Sequence, residues 1–194
     1  VNPLLQLDLI YSMGEDYGRV KEKLNEKDLE SQKMVIEYPS PNTNKPLHLG
    51  HIRNMLIGKS TSNLLEYKGN KVFQVNLNND RGIHICKSML AYQKFGDKKT
   101  PKKKPDHFVG DFYVKYNQLE DKNENIIEEV KDLLQKWEEG DPEIRALWRK
   151  MNKWAVEGFK ETYEKFDITF DKQYFESDYY RKGKEIILKG YQDG

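Results

Sequence analysis

Ile36-Glu37-Tyr38-Pro39-Ser40-Pro41-Asn42-Thr43-Asn44-Lys45-Pro46-Leu47-His48-Leu49-Gly50-His51 compresses a strand end, a loop and a helix start into sixteen residues. Ahead of it, Met34-Val35-Ile36-Glu37-Tyr38 is a short apolar, β-branched run, the pattern of a buried strand. The loop is stiffened by Pro39, Pro41 and Pro46, and two histidines flank Leu49-Gly50. From about His48 the apolar positions Leu49, Ile52, Leu56, Leu64 and Leu65 keep mostly helical spacing, and Lys68-Gly69-Asn70 supplies a stop. Val72 to Leu77 then predicts a second strand.

Strand, loop, helix and strand in this order predict a βαβ unit with parallel strands. Ligands of open α/β sheets sit beyond the carboxyl ends of the strands. The Pro41–His51 loop lies at that end of the first strand, and Asn78-Asn79-Asp80-Arg81-Gly82 lies at the same end of the second. Two polar loops therefore converge on one edge. A helix start offers unpaired N–H groups and the positive end of a dipole to phosphate. His48 and His51, three residues apart, present two imidazoles there.

Downstream, a helix is predicted from about Ile83 to Phe95, followed by the lysine-rich Gly96–Pro105 loop. Phe108 to Tyr116 reads equally as strand or helix. Ile126, Ile127, Val130, Leu133, Leu134 and Trp137 form a helical stripe, and Asp141-Pro142 opens a long amphipathic helix running past Phe159. Ile168-Thr169-Phe170 is a candidate return to the sheet, and Tyr179 to Lys189 reads as helix. The expected organisation is a lead-in at 1–33, the first half of a catalytic domain at 34–95, a basic loop or insertion at 96–122, and a helical part at 123–194.

Composition narrows the class. Charged residues are 34% of the 194, above the usual ~25%, and 12% aromatics argue for a folded core. A net charge of +1 gives no global field for nucleic acid, so any RNA contact relies on local patches. The single cysteine, Cys86, excludes an intrachain disulfide and a multi-cysteine zinc site, and suits a reducing cytoplasm. Apolar runs are too short to span a membrane, and the amino terminus lacks a signal-peptide layout. The chain starts at Val1 rather than methionine and stops at the turn-like Tyr191-Gln192-Asp193-Gly194, so it is read as a piece of a longer polypeptide.

Two metal or phosphate readings fail on spacing. His48 and His51 lack a third nearby ligand, because His84 and His107 are distant and Glu37 precedes the loop. Gly58-Lys59-Ser60 imitates the tail of a P-loop, but the required first glycine is Arg53 and the segment falls within a helix. Lys45 is a mobile ammonium just ahead of the histidines, as suited to a triphosphate as to solvent. Glu37 is sharper: a carboxylate at the end of a buried strand needs a partner, either a substrate guanidinium or a structural arginine such as Arg53 or Arg81. The run Lys98–Lys104 holds five lysines and no aromatic, and reads as a solvated loop. Trp137, Trp148 and Trp154 fall on apolar helix faces and read as core.

His48-Leu49-Gly50-His51, approached through Ser40-Pro41-Asn42 and Lys45-Pro46, resembles the HIGH motif of class I aminoacyl-tRNA synthetases, and most closely that of the arginyl-tRNA synthetases. Asn79-Asp80-Arg81-Gly82 resembles that family's loop after the second strand. Gly140-Asp141-Pro142-Glu143 through Leu147-Trp148 resembles its helical region. The resemblance implies an α/β fold with a Rossmann-like parallel sheet, truncated, and a mainly helical insertion. It implies activation of L-arginine by ATP with Mg2+ and transfer to tRNA(Arg), by a monomer that uses no protein metal ligands and no tightly bound cofactor. It further implies catalytic roles for Lys45, His48 and His51, and ATP contacts at Pro46, Leu49, Gly50 and His51. Arginine contacts fall at Glu37, Tyr38, Ser40, Asn42 and His48, with Asn79, Asp80 and Gly82 on the rim. The family's second motif, of the Lys-Met-Ser-Lys-Ser type, has no counterpart here, so the isolated chain is expected not to charge tRNA. Another HxGH nucleotidyltransferase, or a non-catalytic nucleotide- or RNA-binding module, are the alternatives.

Overall fold

The apolar run before the proline loop forms β1 (Lys33–Glu37), and the run after Asn70 forms β2 (Lys71–Asn78). The computed structural model describes residues 3–17, 32–123 and 125–193. β1 and β2 pair in parallel from Lys33 opposite Lys71 to Glu37 opposite Val75. Between them runs α2 (Leu49–Tyr67), the predicted crossover helix. A third parallel strand, β3 (Lys172–Phe175), joins the far side of β2, giving the order β1-β2-β3. The loops after β1 and β2 continue the pairing through a bridge between Asn42 and Asn79.

β1 differs from its sequence reading. It is an edge strand whose residues are alternately exposed and half-buried, with Val35 67% exposed. An apolar run reports strand propensity, but the number of neighbours is set by topology, and among the described residues only β2 flanks it. The expected strand at Ile168–Phe170 is also displaced. Ile168 is buried and Phe170 packs its ring on Tyr38 and Tyr163, while pairing begins one step later, where Asp171 N–H donates to Gln74 O at 2.8 Å.

The remaining elements are helical. α1 (Pro3–Met13) buries no residue. α3 (Ile83–Phe95), α4 (Pro105–Glu120), α5 (Ile126–Glu139) and α6 (Pro142–Lys165) precede β3, and α7 (Glu176–Asp193) follows it. The ambiguous Phe108–Tyr116 segment therefore lies inside α4, which Pro105 opens in its first turn. Asp141 caps α6 as the sequence predicts, its Oδ1 accepting from Glu143 N and Ile144 N at 2.9 Å each. Among the described residues no helix is long and apolar enough to cross a membrane.

Two cores result, and α6 belongs to both. One is helical: Met89, Val109, Tyr116, Val130, Trp137 and Met151, from α3 to α6, are each at most 2% exposed. The other lies against the sheet and joins Tyr38, Met55 of α2, and Ala155, Phe159 and Tyr163 of α6. A helix of 24 residues is roughly 36 Å long by its rise per residue, enough to span both clusters. α2 meets the sheet core through a narrow stripe, Met55, Gly58 and Ser62. A Cβ on Gly58 would lie 2.3 Å from the Tyr38 ring, so this close approach demands glycine. The Gly58-Lys59-Ser60 segment thus packs mid-helix, as its rejection as a P-loop required.

Candidate active site

The amino end of α2 is closed by its own histidines. His48 occupies the cap position, and its Nδ1 accepts from Gly50 N–H at 3.1 Å. In return His51 Nδ1 accepts from His48 N–H at 3.2 Å. This is the reciprocal logic of a capping box, with imidazoles in place of hydroxyl and carboxylate. A backbone N–H can only donate, so both Nδ1 atoms hold lone pairs, and in the neutral rings the proton sits on Nε2. The rings lie 4.0 Å apart between centroids, tilted by 41°. Partial burial, then the neighbouring His48 and Lys45 charges, push the His51 pKa down from 6.5 to about 4, so it is neutral near pH 7.

Two consequences follow. Of the helix-start N–H groups expected to face phosphate, that of Gly50 is taken by the His48 imidazole, and each neutral ring keeps an Nε2–H as a donor. Gly50 is required by the cap itself: a Cβ there would sit 2.9 Å from His48 Cε1 and 3.0 Å from its Nδ1. Leu49 is 86% exposed and Pro46 half-buried beside the cap.

Glu37, at the end of β1, is exposed and accepts a hydrogen bond from Ser40 Oγ at 2.7 Å. The structural ion pair with Arg53 or Arg81 does not form. Arg81 instead pairs with Glu138 at 2.7 Å and Glu176 at 3.7 Å. Beside Glu37 lies a cleft of about 380 Å³, lined by Ile36, Glu37, Ser40, Asn54, Ile57 and Thr61 among others. Asn54, Ile57 and Thr61 come from the helix flank and were not singled out in the sequence, where they look like ordinary α2 positions. Tyr38 is 4% exposed, its hydroxyl donating to Gln74 and its ring against Phe170, so it supports the cleft from within the core.

The proline loop is held from β2. Ser40 adopts a left-handed backbone, φ 53°, which a non-glycine residue keeps only when its surroundings fix it. Here Ser40 N donates to Asn76 Oδ1 at 3.1 Å, and Asn79 Nδ2 donates to Ser40 O at 3.2 Å. Asn76 and Asn78 are fully buried and share the Gln173 side chain, which is why the central strand reads Asn-Leu-Asn-Asn. Asn42 is half-buried and joined to Asn79 by the bridge between the two loops. Farther along, Thr43 Oγ1 donates to Asn152 of α6, and Asn152 Nδ2 to Asp80 O at 3.3 Å. Asn44 is 1% exposed, its side-chain amide donates to His84 O at 3.2 Å, and its side-chain Oδ1 is left unpartnered among the described residues.

Asp80 lies 3% exposed behind this rim. Its carboxylate accepts from Ser177 N at 2.9 Å and Ser177 Oγ at 2.7 Å, capping the first turn of α7 across 97 residues. Burial raises the Asp80 pKa, and the Ser177 donors offset part of that rise. Trp148 Nε1 closes the turn from above by donating to Asp80 O at 2.6 Å. Gly82, φ 99°, starts α3 without a side-chain cap. Ser177, Asn152 and Trp148 are the positioning residues that local sequence could not reveal, since each acts on a turn far away in the chain.

The chain matches the family description "tRNA synthetases class I (R), catalytic domain" over residues 18–193. It is 55% identical over 169 residues to the arginine–tRNA ligase of Borrelia turicatae, covering 86% of this chain and 29% of the relative. To the arginine–tRNA ligase of Treponema pallidum it is 50% identical over 188 residues, 95% of this chain and 31% of the relative. Among solved structures, the arginyl-tRNA synthetase of Thermus thermophilus superposes with a TM-score of 0.62 at 28% identity, covering 78% of this chain and 25% of that one. That of Plasmodium falciparum shares the fold with a TM-score of 0.65 at 20% identity, over 86% and 28% of the two chains. The chain thus spans 29–31% of the length of these two ligases. Its parallel sheet with packed helices is shared with these solved enzymes, and the chain belongs to the class I tRNA synthetases of the arginine type, as part of their catalytic domain.

Proposed function

We propose that this chain supplies the ATP- and arginine-facing half of an arginine–tRNA ligase active site. The carrying observation is the imidazole-capped start of α2, beyond the carboxyl ends of parallel strands, in a chain of this family. In the reaction an arginine carboxylate oxygen attacks the α-phosphorus of ATP. An O–P bond forms, the bond to the β-phosphate oxygen breaks, and pyrophosphate leaves. A terminal ribose hydroxyl of tRNA(Arg) then attacks the adenylate carbonyl, and AMP departs.

His48 and His51 donate Nε2–H to the α-phosphate oxygens, which gain charge in the first transition state. Lys45, whose charge acts on His51, contributes an ammonium to the triphosphate. Pro46, Leu49 and Gly50 line the approach of the nucleotide. Glu37 takes the guanidinium in a charge-assisted pair, held by Ser40, with Tyr38 behind it and Asn42 toward the α-amino end. Asn79, Asp80 and Gly82 shape the rim. Mg2+ neutralises phosphate charge when bound. It would enter with ATP, as the class I synthetase family implies. The buried Cys86 thiol suits the reducing cytoplasm, where we place a monomeric enzyme.

The test is charging of tRNA with labelled arginine by the full-length protein, its Glu37→Gln and His48→Ala variants, and this 194-residue chain alone. Loss of one charge-stabilising donor costs about 100- to 1,000-fold in kcat. The expected result is such a loss for His48→Ala, a raised arginine KM for Glu37→Gln, and no charging by the chain alone. Unimpaired charging by both variants overturns the reading.

A further inference from the structure

The loop between α3 and α4 is a built feature rather than a solvated tether. Its first half is pinned to α3: Gly96 N donates to Tyr92 O at 2.7 Å, Lys99 N to Gly96 O at 2.8 Å, and Tyr92 Oη to Lys99 O at 2.8 Å. Asp97 and Lys98 both take left-handed backbones, φ 46° and 58°, to make that turn. Its second half is pinned to α4 and α6. Lys104 Nζ donates to both carboxylate oxygens of the fully buried Asp106, at 2.7 and 2.8 Å, and to Gly158 O at 2.5 Å.

Between the two anchors opens a cleft of about 510 Å³, lined by Lys98, Lys99, Thr100, Lys102, Lys103 and Phe108. That volume is within the roughly 300–1,000 Å³ of small-ligand sites. The sequence places no aromatic in the lysine run, but folding brings Phe108 of α4 beneath it. Phe108 is fixed edge-on against Phe112 at 5.2 Å and Trp154 at 5.5 Å between centroids. The cleft is thus lined by one aromatic ring, one threonine and four lysines. Lys99 and Lys103 have acidic neighbours, Asp97 at 3.1 Å and Asp111 at 2.5 Å. Among the described residues no carboxylate pairs with Lys98 or Lys102. Lys150, on α6, adds a further cation above Trp154 at 4.9 Å.

We propose that this cleft binds a single-stranded segment of RNA, with a base against Phe108 and flanking phosphates on Lys98, Lys102 and Lys103. Apolar floor and cationic rim are the two halves of a sequence-tolerant single-strand site. A cleft for a small dianion alone needs no aromatic floor, and Lys98 and Lys102, without a carboxylate partner among the described residues, leave the rim net positive despite Asp97 and Asp111. The choice of RNA rests on the proposed role in tRNA charging. The cleft shares no lining residue with the one beside Glu37.

The experiment is fluorescence anisotropy of a labelled 12-nucleotide oligouridine, repeated with unfractionated tRNA, on this chain across a salt series, with neither ATP nor arginine present. The expected result is about 10-fold or more weaker binding for the combined Lys98→Ala, Lys102→Ala and Lys103→Ala variant at low salt. Its log–log salt slope should be shallower by about 2, from ~0.7 per phosphate contact on a single strand. Phe108→Leu, which keeps an apolar side chain in the core, should weaken binding several-fold with the slope unchanged. The control removes three other exposed lysines, Lys131, Lys153 and Lys160, and should bind as the parent does. No binding by the parent, or equal losses in the two triple variants, overturns the proposal. Because the titration contains no ATP or arginine, its failure leaves the charging reading standing, and failure of charging leaves this result readable.

Discussion

The helical core and the sheet side are built on opposite terms. The helical core buries large apolar and aromatic side chains almost completely, with Trp137 at 1% and Tyr116 and Val130 at 0% exposure, and places Arg145 3.6 Å over the Trp137 ring. The sheet side buries Asn76, Asn78 and Gln74, and leaves Val35, Leu56, Ile57 and Leu64 between 48% and 67% exposed. One region draws its stability from close packing. The other adds to a smaller apolar core a set of buried hydrogen bonds that hold Ser40, Asn79 and Asp80 in fixed positions. α6 couples them, since Asn152 reaches the proline loop from the same helix whose Met151 lies in the helical core.

The largest effect that tests this contrast is in the helical core. Trp137→Ala should cost about 3–5 kcal/mol in urea unfolding, the range for deleting a buried aromatic. A loss below 1 kcal/mol would mean the helical core is not the source of stability. Asp80→Ala should cost about 1–2 kcal/mol, the range for a lost cap. It should also speed hydrogen exchange selectively in the first turn of α7, and protection unchanged there would break the link from rim to α7. Leu56→Ser, at a position 48% exposed, should stay within about 0.5 kcal/mol. A larger loss would show that the outer face of α2 is packed in solution.

What the sequence revealed follows the range of its signals. The βαβ unit, the α6 start at Asp141-Pro142 and the tryptophans' place in apolar contacts are set by local periodicity, caps and turn residues, and the structure carries them all. The edge position of β1 was not legible, because a β-branched run looks alike with one neighbour or two. Glu37 was read as needing a partner, a substrate guanidinium or a structural arginine, on the premise of a buried strand; at an exposed edge the argument for a structural partner lapses. Pairing of β3 beyond Asp171 was missed because Phe170 is as apolar as any strand residue, yet serves the core. Asp80's grip on Ser177 and Asn152's on Thr43 span 97 and 109 residues, and neither leaves a spacing pattern to find. The lysine run was legible as charge, whereas the ring beneath it comes from the next helix.

One set of hydrogen bonds both starts α2 and leaves each neutral imidazole with its proton on Nε2. It carries a pH signature. The folded His51 pKa, about 4, lies below the unfolded value of 6.5. Between those values the unfolded chain binds the proton that the folded chain refuses, so His51 lowers stability as pH falls from about 6.5 to about 4 and no further below that. The most direct measurement is a nitrogen-15 NMR titration of the histidine rings in this chain. Both His48 and His51 in their neutral forms should carry the proton on Nε2, and His51 should stay neutral until pH nears 4. A His51 that titrates near 6.5, or either neutral ring protonated on Nδ1, would contradict this.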